Sequence, residues 1–319
     1  MREWMGLLRA ELLKISRRKL GWLLLVALMA IFVFHARNLN TNRLDYQQGQ
    51  ESGIGRFGQV IMPESAQAAE AELVRRMTFP GFLDEVWVIT DLQVGVGWGL
   101  LAVLILGAIQ SGEEYDGGTI RTLMVRGPSR TTWLLAKLAA LFLATGVVWL
   151  VLAIEGGVLG LWTHHLVTGT IDLSSIDGDR LLLHGARFLR SWSSTLPYLA
   201  FALAAGILAR GAGQALALGM AARFVEIFSG IGGQFLVAFG MGMEGLGAKI
   251  YRLWAPLHVA SMEWNASVWR TWGKPYSIFG ELPSPLHTSP GLAALVLLLW
   301  TAAWVALATW TLKRRDITG

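Results

Sequence analysis

The sequence predicts an all-α integral membrane protein with six transmembrane helices, an N-terminal interfacial elbow helix, and a short cytoplasmic helix between spans 2 and 3. Three observations carry this prediction. Of 319 residues, 54% are hydrophobic and only 15% charged, where a soluble domain carries about a quarter charged residues. Fifteen Trp and 37 Gly fit a membrane protein, because Trp collects at bilayer interfaces and Gly is common in spanning helices. Mean hydropathy is positive, at +0.48, and the apolar residues fall into six long stretches.

Residues 2–18 come first. Trp4, Leu7, Leu8, Glu11, Leu12 and Ile15 recur at helical spacing, and all but Glu11 are apolar. Arg9, Lys14, Arg17 and Arg18 cover much of the remaining surface. Such a helix lies in the membrane interface with its basic residues at the headgroups. It is either a plain amphipathic anchor or an elbow helix (1–19) that also contacts a cytoplasmic partner.

The apolar stretches lie near 20–36, 92–110, 132–162, 190–209, 214–240 and 291–312. Crossing a bilayer as helix takes about 20 residues, so the first must borrow length from its flanks and the third has length to tilt or project. No stretch carries a cleavable-signal pattern. The whole chain, 1–319, reads as a single transmembrane domain.

Basic residues near the span ends set the orientation. Six precede the first span, Lys313, Arg314 and Arg315 follow the last, and Arg121, Arg126 and Arg130 fall in 111–131. Arg210 sits in the tight 210–213 turn. The alternate segments 37–91, 163–189 and 241–290 hold more acids than bases in total. Both termini are therefore expected in the cytoplasm. The net charge of +5 is then a topological signal, and no nucleic-acid partner is expected. Within the outer loop 37–91, stretch 64–78 is helical in pattern, opened by Pro63 and closed by Pro80. Segment 241–290 is a Trp-rich outer loop or re-entrant segment, and Asn265-Ala266-Ser267 in it forms a glycosylation sequon.

The cytoplasmic loop 111–131 reads SGEEYDGGTIRTLMVRGPSRT and runs directly into the third span. Its residues Glu113-Glu114-Tyr115-Asp116-Gly117-Gly118-Thr119-Ile120 through Leu123, then Arg126-Gly127-Pro128-Ser129-Arg130, followed by an early Lys137 in the span, resemble a motif of ABC-2 type transporter permeases. The topology resembles theirs over the whole chain, while about 25 residues carry the motif itself. The resemblance implies a coupling helix seated in a groove of a separate ATP-binding subunit. Contacts to that subunit would come from Glu113, Glu114, Tyr115, Asp116, Gly118, Thr119, Ile120, Leu123, Met124 and Arg126. Glycines 117 and 118 permit a sharp turn into the helix, Thr119 can cap it, and Ile120, Leu123 and Met124 make an apolar knob. A solvated loop with a short surface helix is the plainer alternative.

No G-x-x-x-x-G-K-[ST] loop occurs, so ATP and Mg are expected on the partner and no cofactor on this chain. There is no cysteine, which excludes disulfides and thiol nucleophiles. His164, His165 and His184 lack a metal-ligand spacing, and no metal or catalytic residues are expected. Arg223 and Glu226 lie three apart inside the fifth span. Charges at that depth must pair, on a translocation path or gate, or as a structural ion pair. Glu155 is expected to partner Arg187 or Arg190. The glycine sets Gly95/Gly99 and Gly156/Gly160 suit close helix packing.

Taken together, the expectation is a transport subunit without enzymatic activity of its own, in a bacterial inner membrane. It would pair with a second permease protomer, as a homodimer, and with two ATP-binding subunits. The expected cargo is an amphipathic, lipid-like or peptide substrate. One alternative is an ATPase-coupled module that transmits force to an outer partner; another is an intramembrane lipid-modifying enzyme.

Overall fold

The computed structural model describes every residue except 1, 53–62, 80, 83–97, 121–128, 172–176, 241–245, 274–287 and 315–319. All regular structure among the described residues is helical. In chain order the helices are α1 (Arg2–Arg17), α2 (Lys19–Ser52), α3 (Pro63–Met77), α4 (Trp98–Asp116), α5 (Arg130–Thr168), α6 (Gly178–Ser193), α7 (Leu196–Ala209), α8 (Ala212–Gly240), α9 (Leu246–Val259), α10 (Met262–Arg270) and α11 (Pro290–Arg314). Among the described residues, four segments are long and apolar enough to cross a membrane: Lys19–Asp45, Arg130–Thr168, Gly178–Ala209 and Pro290–Arg314. The chain is a helical membrane protein.

Several boundaries differ from the sequence expectation. The helix of the first span does not stop near residue 36: α2 continues through the polar run to Ser52, so the expected loop 37–91 begins as helix. Its internal helix lies where the pattern placed it, at Pro63–Met77. The loop 111–131 also begins late, because α4 runs on to Asp116. The amphipathic helix α6 occupies most of the expected 163–189 loop and the start of the fourth span. It meets α7 at a break over Ser194 and Thr195, where Pro197 cannot donate to the preceding turn. Residues 92–97 of the second stretch lie outside the described residues.

The chain divides into two compact units. The first comprises Met1–Gly21, Asp91–Gly146 and Leu189–Gly319. Its centre is α7, packed against α4, α8 and α11, with Tyr198, Leu199 and Leu203 almost wholly buried. Small residues permit the approach. A Cβ on Gly107 would fall 2.6 Å from that of Ala202, one on Gly206 would overlap Ser111 Oγ, and one on Gly112 would overlap the Ala212 backbone. Helices can close to this distance only where side chains vanish. Trp192 lies flat on Phe142, centroids 4.4 Å apart, and its indole N–H donates to Phe142 O at 2.8 Å.

The Trp-rich stretch folds as the helix pair α9–α10, with α10 packed on α11. Ser261 caps α10 by accepting from Trp264 N. The indole N–H groups find acceptors: Trp254 at Ser229 O, Trp264 at Thr288 Oγ1, Trp269 at Ser193 Oγ and Trp300 at Ala260 O. These tryptophans are cross-links of the bundle. Asn265 of the sequon is fully buried, its amide donating to Val259 O and Ser261 O, which removes it as a glycosylation site.

The second unit comprises Trp22–Thr90 and Val147–Phe188. Ala36 and Leu39 of α2 pack with Leu73, Met77 and Phe82, and with Leu159 and Val167 of α5. Thr163 donates to Met77 O at 2.8 Å, and Gln47 to Glu70 at 2.7 Å. Gly160 admits Phe79 and Phe82 close to its backbone, an intramolecular use of one expected packing glycine. Gly95 lies outside the described residues.

Candidate functional site

The most constrained polar site lies where α1 meets the end of α4 and the start of α5. On α1, Glu11 and Lys14 are one turn apart and share a face. On α4, Gln110 and Glu114 do the same. On α5, Lys137 projects from a helix whose neighbouring positions are apolar, and its ammonium lies 5.1 Å from the Trp133 ring centroid. Hydrogen bonds and ion pairs across the three helices join these five residues.

Lys137 is 1% exposed. Its ammonium donates to Glu11 Oε2 at 3.1 Å, Gln110 O at 3.0 Å and Glu114 Oε1 at 3.0 Å. An ammonium has three N–H donors, so it is fully satisfied. Lys14 joins the same carboxylates from the solvent side, at 2.8 Å from Glu11 and 2.9 Å from Glu114. Gln110 Nε2 donates to Glu11 Oε2 at 3.0 Å. Two carboxylates thus balance two ammoniums, and outside this core Arg18 pairs with Glu113.

Burial acts to raise the Glu11 carboxyl, but Lys137 and Lys14 outweigh it and hold it below its ordinary 4.5. Burial likewise acts to lower Lys14, yet its bonds to Glu11 and Glu114 carry it above its ordinary 10.5. A depressed acid stabilises the fold above its unfolded pKa and loses that contribution as pH falls through the folded one. A raised amine stabilises below its unfolded pKa and loses the contribution as pH rises through the folded one. Docking of α1 is therefore expected to be level between about pH 5 and 10 and to weaken on both sides. Hydrogen exchange of the α1 amides across pH, corrected for the intrinsic rate, checks this.

The network gives the expected partner-contact residues different roles. Glu114 turns inward and is 6% exposed, with one oxygen held by both lysines. Ile120 is also buried within the chain, whereas Glu113, Asp116, Gly118 and Thr119 are exposed and Tyr115 is half-buried. Asp116 accepts from Ala212 N at 3.0 Å, satisfying a free donor at the α8 N-terminus. Gly118 has a φ of 63°, the left-handed conformation that lets α4 end sharply. The Thr119 hydroxyl reaches back to Glu114 O at 3.4 Å, and the turn it was expected to cap lies outside the described residues. Leu123, Met124 and Arg126 lie outside the described residues.

A second cluster gathers around the charges of α8. Arg223 Nη1 lies 3.1 Å from Glu226 and 2.5 Å from Glu263 of α10, and Nη2 lies 3.3 Å from the other Glu263 oxygen. The Arg223–Glu226 pair was legible from spacing, but Glu263, the closer partner, was not singled out. A lone acid beside a Trp in an otherwise apolar stretch was its signal. Nearby, His258 is sandwiched between Trp254 and Trp264, with centroids 4.5 and 5.0 Å away. Burial pushes it down to about 4, although the Glu263 charge acts the other way.

Other expectations fare differently. Glu155 Oε2 is buried without a hydrogen-bond partner among the described residues, and the Arg190 guanidinium lies over the Trp272 ring, 5.2 Å from its centroid. Among the described residues, no three His, Asp or Glu side chains converge as a metal site.

Residues missed in the sequence, Gln110 and the inward role of Glu11, had one visible sign. Glu11 stands alone as an acid on the apolar stripe of α1, and a charge there requires a buried partner. The chain matches no protein-family model, and no curated protein matches it in sequence.

Proposed function

We propose that this chain is the permease subunit of an ABC-2 type exporter, a six-span protein with both termini in the cytoplasm of a bacterial cell. In this reading α1 is the elbow helix and the segment after Gly118 is the coupling helix. Spans 2 and 5 are the stretches 92–110 and 214–240. Two such chains form a homodimer served by two ATP-binding subunits, which hold ATP and Mg. The cargo is an amphipathic, lipid-like or peptide molecule, moved when closure of the ATPases pushes on 113–126.

The observation that carries the reading is the buried Glu11–Lys137–Glu114 network. It ties both flanks of the short 115–136 segment to an amphipathic helix. A solvated loop needs no such anchorage. A loop that receives force does, because slack in its flanks would dissipate the displacement before it reached α5.

The test is affinity purification of the tagged chain from its native membrane in mild detergent, with ATPase assay and identification of co-purifying proteins. The comparison variant is Leu123→Asp with Arg126→Glu, which leaves the buried network intact. An ATPase with a phosphate-binding loop is expected to co-purify and to be lost, at least tenfold, in the variant. Absence of any ATPase from the wild-type preparation would remove the permease reading.

A further inference from the structure

The cluster on α8 holds a charge imbalance that its own residues do not correct. Arg223 is 2% exposed and Tyr198 is 1% exposed, so both sit deep in the first unit. Arg223 Nη1 is shared between Glu226 Oε2 and Glu263 Oε2. Two carboxylate oxygens therefore lie against one nitrogen, and one guanidinium faces two acids. Glu263 takes the better share, since both of its oxygens meet the guanidinium.

Among the described residues, no cation other than Arg223 bonds either acid. From α9, His258 approaches the same face of α8, with Cε1 3.9 Å from where a Gly230 Cβ would stand; its depressed pKa keeps it neutral at physiological pH. From α10, Arg270 lies seven residues beyond Glu263, about 10 Å along the helix; its charge acts on the Tyr198 hydroxyl, but its guanidinium turns to Ser194 Oγ at 3.5 Å and not to either acid. From α7, the Tyr198 hydroxyl faces Glu226 and carries no charge to offset it, and it has no hydrogen bond of normal geometry. Arg223 Nε is likewise buried without a partner among the described residues. An uncompensated carboxylate in such surroundings does not persist as an ion; it takes a proton or a cation.

We propose that Glu226 and Glu263 hold one exchangeable proton between them, carried on Glu226 at rest, so that this cluster is a proton-binding site inside the helix bundle. The neutral acid leaves Arg223 to Glu263 as a balanced pair. Its O–H can also donate to the Tyr198 oxygen, which has no partner of normal geometry. The inference is independent of any ATPase partner.

The test uses the full chain in native membranes and dicyclohexylcarbodiimide, an apolar reagent that adds to protonated carboxylic acids, with the modified residue located by mass spectrometry. Labelling is expected at Glu226 and to fall as pH rises. In Glu263→Gln, Arg223 belongs to Glu226 alone, the acid ionises, and labelling of Glu226 should drop at least fivefold. Glu226→Gln, which mimics the protonated acid, should keep the wild-type thermal midpoint at pH 7 in detergent, and this arm decides if Glu263→Gln does not fold. Absence of label at Glu226, undiminished label in Glu263→Gln, or a large fall in the Glu226→Gln midpoint would overturn the proposal. So would protection by sodium over choline at fixed pH and ionic strength, which would identify a metal-cation site instead.

Discussion

Replacing Lys137 with methionine is expected to remove about 3–5 kcal/mol of folding stability, because it leaves a buried charge without its partner. The side chain that fills the space is of similar length and apolar, so little packing is lost. What is lost is the ammonium that satisfies Glu11, Glu114 and Gln110 O at once. Lys14 alone would then face two carboxylates, and at 38% side-chain exposure its attraction is screened by water. The measurement is the unfolding midpoint in detergent, with size-exclusion profiles before and after heating. Removing the opposing charge as well, in Lys137→Met with Glu114→Gln, should recover part of the loss, because it restores one ammonium to one carboxylate. A Lys137→Met protein that melts with the wild type would show that the network does not hold α1.

The second large effect is expected at Gly112. An alanine Cβ there would overlap the backbone of Ala212, which no change of side-chain rotamer can move aside. α4 and α8 would have to separate, at a cost above the about 1–3 kcal/mol usual for overpacking. Because Asp116 caps α8 one turn further on, the same shift would break that bond too. Gly213 provides the control: nothing lies within 4 Å of its Cβ position, and alanine is the better helix former by about 1 kcal/mol. Gly112→Ala is thus expected to lower the midpoint and Gly213→Ala to hold or raise it.

These two sites show what could and could not be seen in the sequence. The amphipathic α1, the helix opened by Pro63 and the tight turn at Arg210 follow from local periodicity and turn chemistry, and their positions hold. The extension of α2 through Asn38–Ser52 could not be seen, since its Asn, Thr and Gln residues have no apolar period; its helix is held partly by packing of Leu39 and by the Gln47–Glu70 bond. α6 was hidden because its arginines looked like loop residues. In the candidate site, Arg223 and Glu226 were visible because they are near in sequence. Lys137, Glu11 and Glu114 were visible as residues but not as a group, since 126 and 23 positions separate Lys137 from its acids. Local pattern carries no information on which distant helices will meet.

The length of α2 has a further consequence. Its 34 residues extend about 51 Å, while a hydrocarbon core is about 30 Å thick. An apolar helix could absorb the excess by tilting, but from Asn38 onward this one is largely polar and belongs in water. The border between its two halves acts as a waterline, fixing how deep the helix can sink. A bilayer thicker by a few Å would press lipid against Asn38, Asn40 and Asn42, whereas a thinner one would not. Membrane thickness is thereby coupled to the stability of this protein, and the polar half of one helix inclines it toward thin bilayers.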